Sequence, residues 1–575
     1  MATKKTTDYQ VTGTNSKALF TLKVHRGEGM ALLAMNWKAG KPPLNFVGFS
    51  IEYREPKGDN FFPLRNRITF PNAAKNDPNV KNMLGSPLQK FRWVHFPYNA
   101  DLPGKFSYKV KPVFMNELGH LSYGEAQQCA IALARDTYPD MNVSFTRGFV
   151  ASQAFADRYE KFGDISTIIA PKSKLGLTFK PTHPKAKEAL SWMGFEAYSA
   201  IIQVLDEAIK NTKAKVCVIA YDLNEPEIVN RLKKLKKRLR IIIDNSADHG
   251  EDGSAENQAA KMLEATAGKD QVMRQKMGSL QHNKTIVVDG PGLQKAVCGS
   301  TNLSWRGLFI QNNNAIVLTG KNPVSLFKEA FENFWIAGPK NNVKSFSGSK
   351  SPTWQPLKLK GIDAQVTFSP HNDTNTALQH IGDDIGTVKS SLLYSMAFLA
   401  QTGGPIREAL TAITKKSKIF VYGVADKEVG GIVLKGSDPN PQPVYSDALT
   451  KNVPFPFTEE ITGGGGIRMH HKFLVMDFNT PDARVYMGSY NFSGVADLKN
   501  GENLLLIKDR KVATSYMIEA LRIFDHYEFR IAEDKATDKM KSLELQLPPK
   551  NKKEKPWWDK YYSNKRYSRD RELFS

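Results

Sequence analysis

Two segments of this 575-residue chain carry one pattern, and that repeat constrains the fold more than any other feature. LQHNKTIVVDG sets His282, Lys284 and Asp289 at the spacing H-x-K-x4-D, and RMHHKFLVMDF sets His470, Lys472 and Asp477 at the same spacing. Side chains two apart on a strand share a face, so each segment presents an imidazole beside a cation. Each is followed by a matched element: CGSTNLS with Ser300, Asn302 and Ser304, and MGSYNFS with Ser489, Asn491 and Ser493. The His-to-Asn spacing is 20 in the first and 21 in the second. A hairpin return brings each asparagine and its serines back beside the His and Lys. Chance supplies roughly a few hundredths of one such match in a chain with this many histidines.

The surroundings of the motifs repeat as well. Residues 216–223 (VCVIAYDL) read as a buried strand, 225–239 as a helix capped by Asn224, and 240–244 (RIIID) as the next strand. The order returns at 391–399 (SLLYSMAFL), 405–413 and 418–423 (KIFVYG). An α/β fold is therefore expected, duplicated over 148–360 and 361–535. The first 135 residues differ. Runs at 31–37, 46–53 (FVGFSIEY), 91–96 and 106–113 (FSYKVKPV) alternate apolar and polar residues between Gly, Pro and Asn turns. They predict an all-β sandwich at 1–135, patterned like a fibronectin III or immunoglobulin domain, that serves as a binding module or a structural flap. Residues 536–575 read as a basic tail whose Trp557 and Trp558 suit a bilayer interface, stacking on bases, or packing onto the catalytic domains.

The net charge is +22, from 80 Lys+Arg against 58 Asp+Glu, and it favours a polyanion or an anionic membrane surface without choosing between them. Three cysteines, Cys129, Cys217 and Cys298, exclude a disulfide framework and a structural zinc site. With no apolar leader or spanning run, the chain is expected to be cytoplasmic as translated, with peripheral membrane association and non-classical export left open. Residues 231–240 (RLKKLKKRLR) read as a solvated helix face before an anion-binding strip. Gly463–Gly466 reads as a loop at the rim of the site or a plain turn. His25, His95, His120, His183, His249, His371, His380 and His526 are assigned ordinary structural places.

Cleaving a phosphodiester needs a nucleophile, a proton donor for the leaving oxygen, and cations on the non-bridging oxygens. His282 and His470 supply the first two, while Lys284, Lys472, Asn302 and Asn491 supply donors, with Ser304 and Ser493 beside them. No carboxylate cluster for a two-metal site accompanies the motifs, so neither a metal nor another cofactor is expected. Asp289 and Asp477 end apolar strands and are assigned structural roles at the interface of the copies.

The doubled signature resembles the phospholipase D superfamily, whose H-x-K-x4-D is followed by G-S-x-N. The resemblance covers both α/β copies but neither the N-terminal β region nor the tail. It implies a pseudo-twofold α/β sandwich with both motifs at one site, and metal-independent hydrolysis or transfer through a phosphohistidine. It also implies that an acid roughly 25 to 35 residues after the opposite motif orients each histidine. Glu502 fills that place in the second copy, and Asn313 stands there in the first. With pairing across the copies, Glu502 holds His282 as nucleophile, and His470, facing the Asn313 amide, is the general acid. The leading expectation is a monomeric phospholipase D acting on glycerophospholipids by hydrolysis or head-group exchange, with no obligate protein partner. The rivals are a nuclease cleaving DNA or RNA and a catalytically weak binder of anionic surfaces.

Overall fold

A computed structural model describes residues 9–426, Val444–Tyr445 and 469–575, except 72, 74–76, 78, 98, 134–137, 341–342, 374–375, 400–401, 540 and 552. The chain divides into two compact units. One joins the N-terminal segment to Thr514–Ser575, and the other holds the residues between, from Tyr138 to Ala513.

The larger unit is the duplicated α/β body. Its first sheet has seven strands in the order Met141–Phe145, Asn314–Thr319, Leu293–Gly299, Lys284–Gly290, Lys215–Ala220, Leu239–Asp244, Val272–Gln275. The second repeats this as Asp363–Ser369, Glu502–Lys508, Arg484–Gly488, Lys472–Met476, Ser391–Met396, Phe420–Ala425, Val444–Tyr445, with Gln355–Pro356 as an added edge. In each sheet the motif strand runs antiparallel to a buried strand that is itself parallel to the next. The registers coincide. Ala220 faces Lys284 and Ile243, and Met396 faces Lys472 and Ala425. Position for position, Tyr221 and Asp222 therefore answer to Ala397 and Phe398, and Asp244 to Asp426.

Two local expectations are corrected. The helix Pro226–Leu235 is capped by Glu225, whose carboxylate accepts the Ile228 N–H at 2.7 Å, and not by Asn224. With Pro226 opening the helix, the cap falls one residue later, and the Asn224 amide oxygen instead accepts the Trp305 N–H at 3.0 Å. The motif acids bond within their own copies and not across the interface. Asp477, fully buried, accepts the backbone N–H groups of Lys389, Ser390 and Ser391, while Asp289 pairs with Lys328 at 2.8 Å.

The other unit is all-β in its N-terminal part. Gln10–Thr12, Phe20–Arg26, Ala31–Trp37 and Arg92–His95 make one antiparallel sheet. Phe46–Arg54 and Lys105–Met115 form the centre of a second. The reading of 536–575 as a separate tail is corrected here. Trp557, Trp558 and Tyr561 are buried in the same apolar cluster as Phe46, Phe49 and Phe91, and the Trp557 indole donates to the Phe46 carbonyl at 3.0 Å. Large aromatics bury too much apolar surface to be left outside a core they can reach. These tryptophans are therefore not available to a bilayer or to bases. No helix among the described residues is long and apolar enough to cross a membrane.

Trp557→Ala is expected to lower the unfolding free energy of this unit by about 3–5 kcal/mol, as removal of a buried aromatic does. Urea titration followed by circular dichroism checks it, and an unchanged midpoint would take Trp557 out of the core.

Candidate active site

The two copies meet through consecutive residues. Gln281 bridges Gly501 and Asn312 bridges Met469, both in parallel register. One residue on, His282 Nδ1 lies 2.8 Å from a Glu502 oxygen, and His470 Nδ1 lies 2.9 Å from Asn313 Oδ1. One further, Asn503 Nδ2 donates to Asn283 Oδ1 at 3.0 Å and Asn314 Nδ2 to His471 Nδ1 at 3.3 Å. Each motif histidine is thus oriented by the opposite copy. The Asn313 amide is itself fixed, since its Nδ2 donates to the Gly307 carbonyl at 2.8 Å and Ser300 Oγ donates to its Oδ1 at 2.9 Å. His470 consequently carries its proton on Nδ1 and turns Nε2 the other way. In its ionised form, Glu502 on Nδ1 of His282 sets the same tautomer there.

The rings of His282 and His470 have centroids 6.4 Å apart, which brings both within reach of one tetrahedral group. Lys284 Nζ donates to the His282 carbonyl at 2.5 Å and Lys472 Nζ to the His470 carbonyl at 2.7 Å. Both lysines are buried, as are both histidines, and Glu502 is 0% exposed. Burial sets the electrostatics. It pushes Lys284 down to about 8, and with Lys284 alongside it pushes Lys472 well below the usual lysine range. Burial and the two lysines hold both imidazoles well below their ordinary value, and burial pushes Glu502 up to about 8. All five groups are thus biased toward the uncharged form.

His282 and His470 face a cavity of about 820 Å³, and Asn302, Asn491 and Ser493 line it too. The lysines and Ser304 are buried and are not among the residues that line it. Both serines also hold nearby backbone. Ser493 Oγ caps the helix Gly494–Leu498 by accepting the Ala496 N–H, and Ser304 Oγ accepts the Gly307 N–H at 3.2 Å.

Several lining residues are not marked by any motif in the sequence. His249, assigned an ordinary structural place, sits on the cavity wall with Tyr221 and Asp222. Its Nε2 is 2.9 Å from Asp222 and its Nδ1 2.9 Å from Asp244. The Tyr221 ring lies between His249 and His282, with centroids 4.5 and 4.6 Å away. One signal was available: Asp222 and Asp244 follow the carboxyl ends of two adjacent parallel strands, where α/β sheets gather ligand-facing groups. Although burial opposes the charge, hydrogen bonds to Asp222 and Asp244 push His249 up to about 11. Burial likewise opposes ionisation of Asp222, and the His249 bond and charge outweigh it to hold that carboxyl below its usual range. Asp222, His249 and Glu256 bring ligand atoms within 4.8 Å of one another, a spacing that suits a cation. Both nitrogens of His249 already face carboxylates, which a doubly protonated ring satisfies by itself.

In the basic run at 231–240 the arginines are engaged, while Lys234, Lys236 and Lys237 are exposed. Arg231 pairs with Asp206 and Glu227, Arg238 donates to the carbonyls of Ala208, Asn211 and Ala214, and Arg240 pairs with Glu332. Gly463–Gly466 lies outside the described residues.

A sequence family described as cardiolipin synthase, PLD-like domain, matches residues 205–335 and 383–523, one segment over each copy and each containing a complete motif. The chain belongs to the phospholipase D superfamily. Among curated relatives, a phospholipase D of Rickettsia prowazekii is 44% identical over 48 residues, 8% of this chain and 22% of the relative, so the match spans about a fifth of that protein. Two solved structures are similar. Phosphatidylserine synthase of Haemophilus influenzae shares 13% identity at a TM-score of 0.42, covering 59% of this chain and 91% of that one. The phospholipase D family member Nuc of Salmonella typhimurium shares 22% identity at a TM-score of 0.18, covering 29% of this chain and 93% of that one.

Stability carries a signature of the charged His249. Its folded pKa lies above its unfolded value, so its contribution is present below about pH 6.5 and is lost as pH rises toward 11. The stability difference between wild type and His249→Gln is expected to shrink across that window in urea titrations. The His249 ring nitrogens are expected to read as imidazolium at pH 8 in nitrogen-resolved magnetic resonance.

Proposed function

We propose that the chain is a metal-independent phosphodiesterase working through a phosphohistidine, with glycerophospholipids as substrates. What carries the reading is the pair of facing imidazoles, each oriented from the opposite copy. In the first step His282 Nε2 attacks phosphorus, the N–P bond forms and the P–O bond to the leaving alcohol breaks, with His470 giving that oxygen its proton. In the second, His470 takes a proton from water or an acceptor alcohol, whose oxygen displaces His282 from phosphorus. Hydrolysis and head-group exchange differ only in that acceptor.

The choice of His282 as nucleophile rests on its partner. A phosphorylated imidazole carries positive charge, which the Glu502 carboxylate at 2.8 Å offsets and the Asn313 amide can only hydrogen-bond. The phosphodiester anion also completes the site. Placed among buried groups biased toward neutrality, it favours the charged forms of Lys284, Lys472 and His470, so the acid is armed when substrate is present.

The cavity lining favours a lipid diester over a nucleic acid. Leu280, Phe398, Val495 and Leu498 give it an apolar side, and its cations are Arg306, Lys499 and the charged His249, with Asp222 and Asp248 among them. A groove that tracks a polynucleotide backbone needs a run of cations.

Radiolabelled phosphatidylcholine and phosphatidylethanolamine vesicles, set against plasmid nicking in EDTA, test the substrate. Released head group is expected, and nicking without release would favour the nuclease. Covalent label is expected on His282 in His470→Ala and absent from His282→Ala. Label on His470 would reverse the roles, and wild type without turnover of any diester would leave a binding protein. Glu502→Gln is expected to lower kcat by about 10²–10⁴-fold. kcat/KM is expected to be bell-shaped about pH 8, rising as Glu502 of the free enzyme ionises and falling as Lys284 loses its proton.

A further inference from the structure

The structure assigns Asp222, its charge offset by His249, as a positioning residue that fixes Asn302 as a donor to a phosphate oxygen. The inference rests on the phosphodiester reading above. Its contacts are continuous. Asp244 accepts the Gln281 backbone N–H at 2.7 Å with one oxygen and faces His249 Nδ1 at 2.9 Å with the other. His249 Nε2 faces Asp222 Oδ1 at 2.9 Å, and Asp222 Oδ2 accepts from Asn302 Nδ2 at 2.7 Å. An amide held by one Nδ2–H has its plane set. The second Nδ2–H is then the donor left for a ligand in the cavity that Asn302 lines.

A bare carboxylate beside a phosphate site would repel the ligand. The imidazolium between Asp222 and Asp244 lowers that cost while leaving Asp222 Oδ2 as an acceptor. Against the effect of burial, the two carboxylates hold His249 in that charged form. Tyr221, packed between His249 and His282, ties the chain to the side of the site where His282 stands. Among the described residues the second copy has no counterpart. Phe398 occupies the position of Asp222, and Asn491, which also lines the cavity, has no carboxylate at that place. Among the described residues the two asparagines are therefore inequivalent, although both stand in G-S-x-N-x-S.

Calorimetric binding of inorganic phosphate to the full chain, with hydrolysis of bis(p-nitrophenyl) phosphate alongside, tests this in wild type, Asp222→Asn, Asn302→Ala and the double variant. Each single change is expected to weaken phosphate binding by about tenfold to a hundredfold, and the double variant no more than the worse single. Charge alone predicts the opposite sign, since Asp222→Asn removes a negative group near an anion. His249→Gln, which bares the Asp222 charge, is expected to weaken binding, and Asp222→Asn in that background to restore part of the loss. That pair supplies a second reading if Asp222→Asn alone folds poorly by thermal unfolding. Multiplying effects in the double variant, tighter binding in Asp222→Asn, or no restoration in the His249→Gln background overturns the inference. The expected pattern in a protein that hydrolyses no diester keeps the inference and overturns the proposed reaction, and a wild type that binds no phosphate overturns both.

Discussion

The hydrogen bonds that His282 and His470 make across the pseudo-twofold are the constraint on which the rest of the site depends. Residues 281–283 of the first copy meet 501–503 of the second, and 312–314 meet 469–471. A fully buried glutamate is costly unless a partner takes its charge, and the partner of Glu502 comes from the other half of the duplication. Neither half alone satisfies its own polar groups. The duplication is therefore a functional unit in the physical sense: separating the copies would leave both imidazoles without the partners that orient them, and Glu502 without its imidazole.

The backbone symmetry of the two sheets makes their chemical asymmetry legible. Glu502 answers to Asn313 as the orienting group, and Asp222 to Phe398 beside the asparagine. Both departures have the same sense. Carboxylates gather around His282, while an amide and a phenyl ring stand at the matching places near His470. A site with two equivalent histidines would have no electrostatic reason to load one before the other. This one distinguishes them twice, through independent strands, and the assignment of roles needs no difference between the motifs themselves.

Much of this was readable from residues in line. The doubled H-x-K-x4-D, the return to asparagine and the strand 31–37 follow from spacing and alternation, which are properties of one stretch of chain, while the placing of Glu502 is what the family resemblance implies. The His249 relay is not such a property. Asp222, Asp244 and His249 become neighbours only because two parallel strands end side by side, and a single histidine in a loop gives no sign of that. Trp557 was misplaced for the same reason. Its surroundings in sequence are lysines, and its surroundings in space are Phe46 and Phe91, contributed from the other end of the chain. The cap at Glu225 shows the local version: Asn224 is the better intrinsic cap, but the Trp305 N–H claims its oxygen.

The basic composition looks different once the charges have places. A sum of +22 treats every cation as free to meet a partner, yet Arg231 and Arg240 are paired with carboxylates, Arg238 is spent on backbone carbonyls, and Arg92 is held by Asp570. Such groups still contribute to the long-range field, but their short-range hydrogen bonds, which recognise a phosphate, are already used. At the cavity Arg306, Lys499 and the charged His249 stand beside Asp222 and Asp248. Net charge is thus a statement about approach, felt at a distance and weakened by salt. Choice of substrate lies in the few groups at the cavity that remain able to donate, and among these the asparagines matter because, unlike lysines pushed toward neutrality by burial, an amide keeps its donor at any pH.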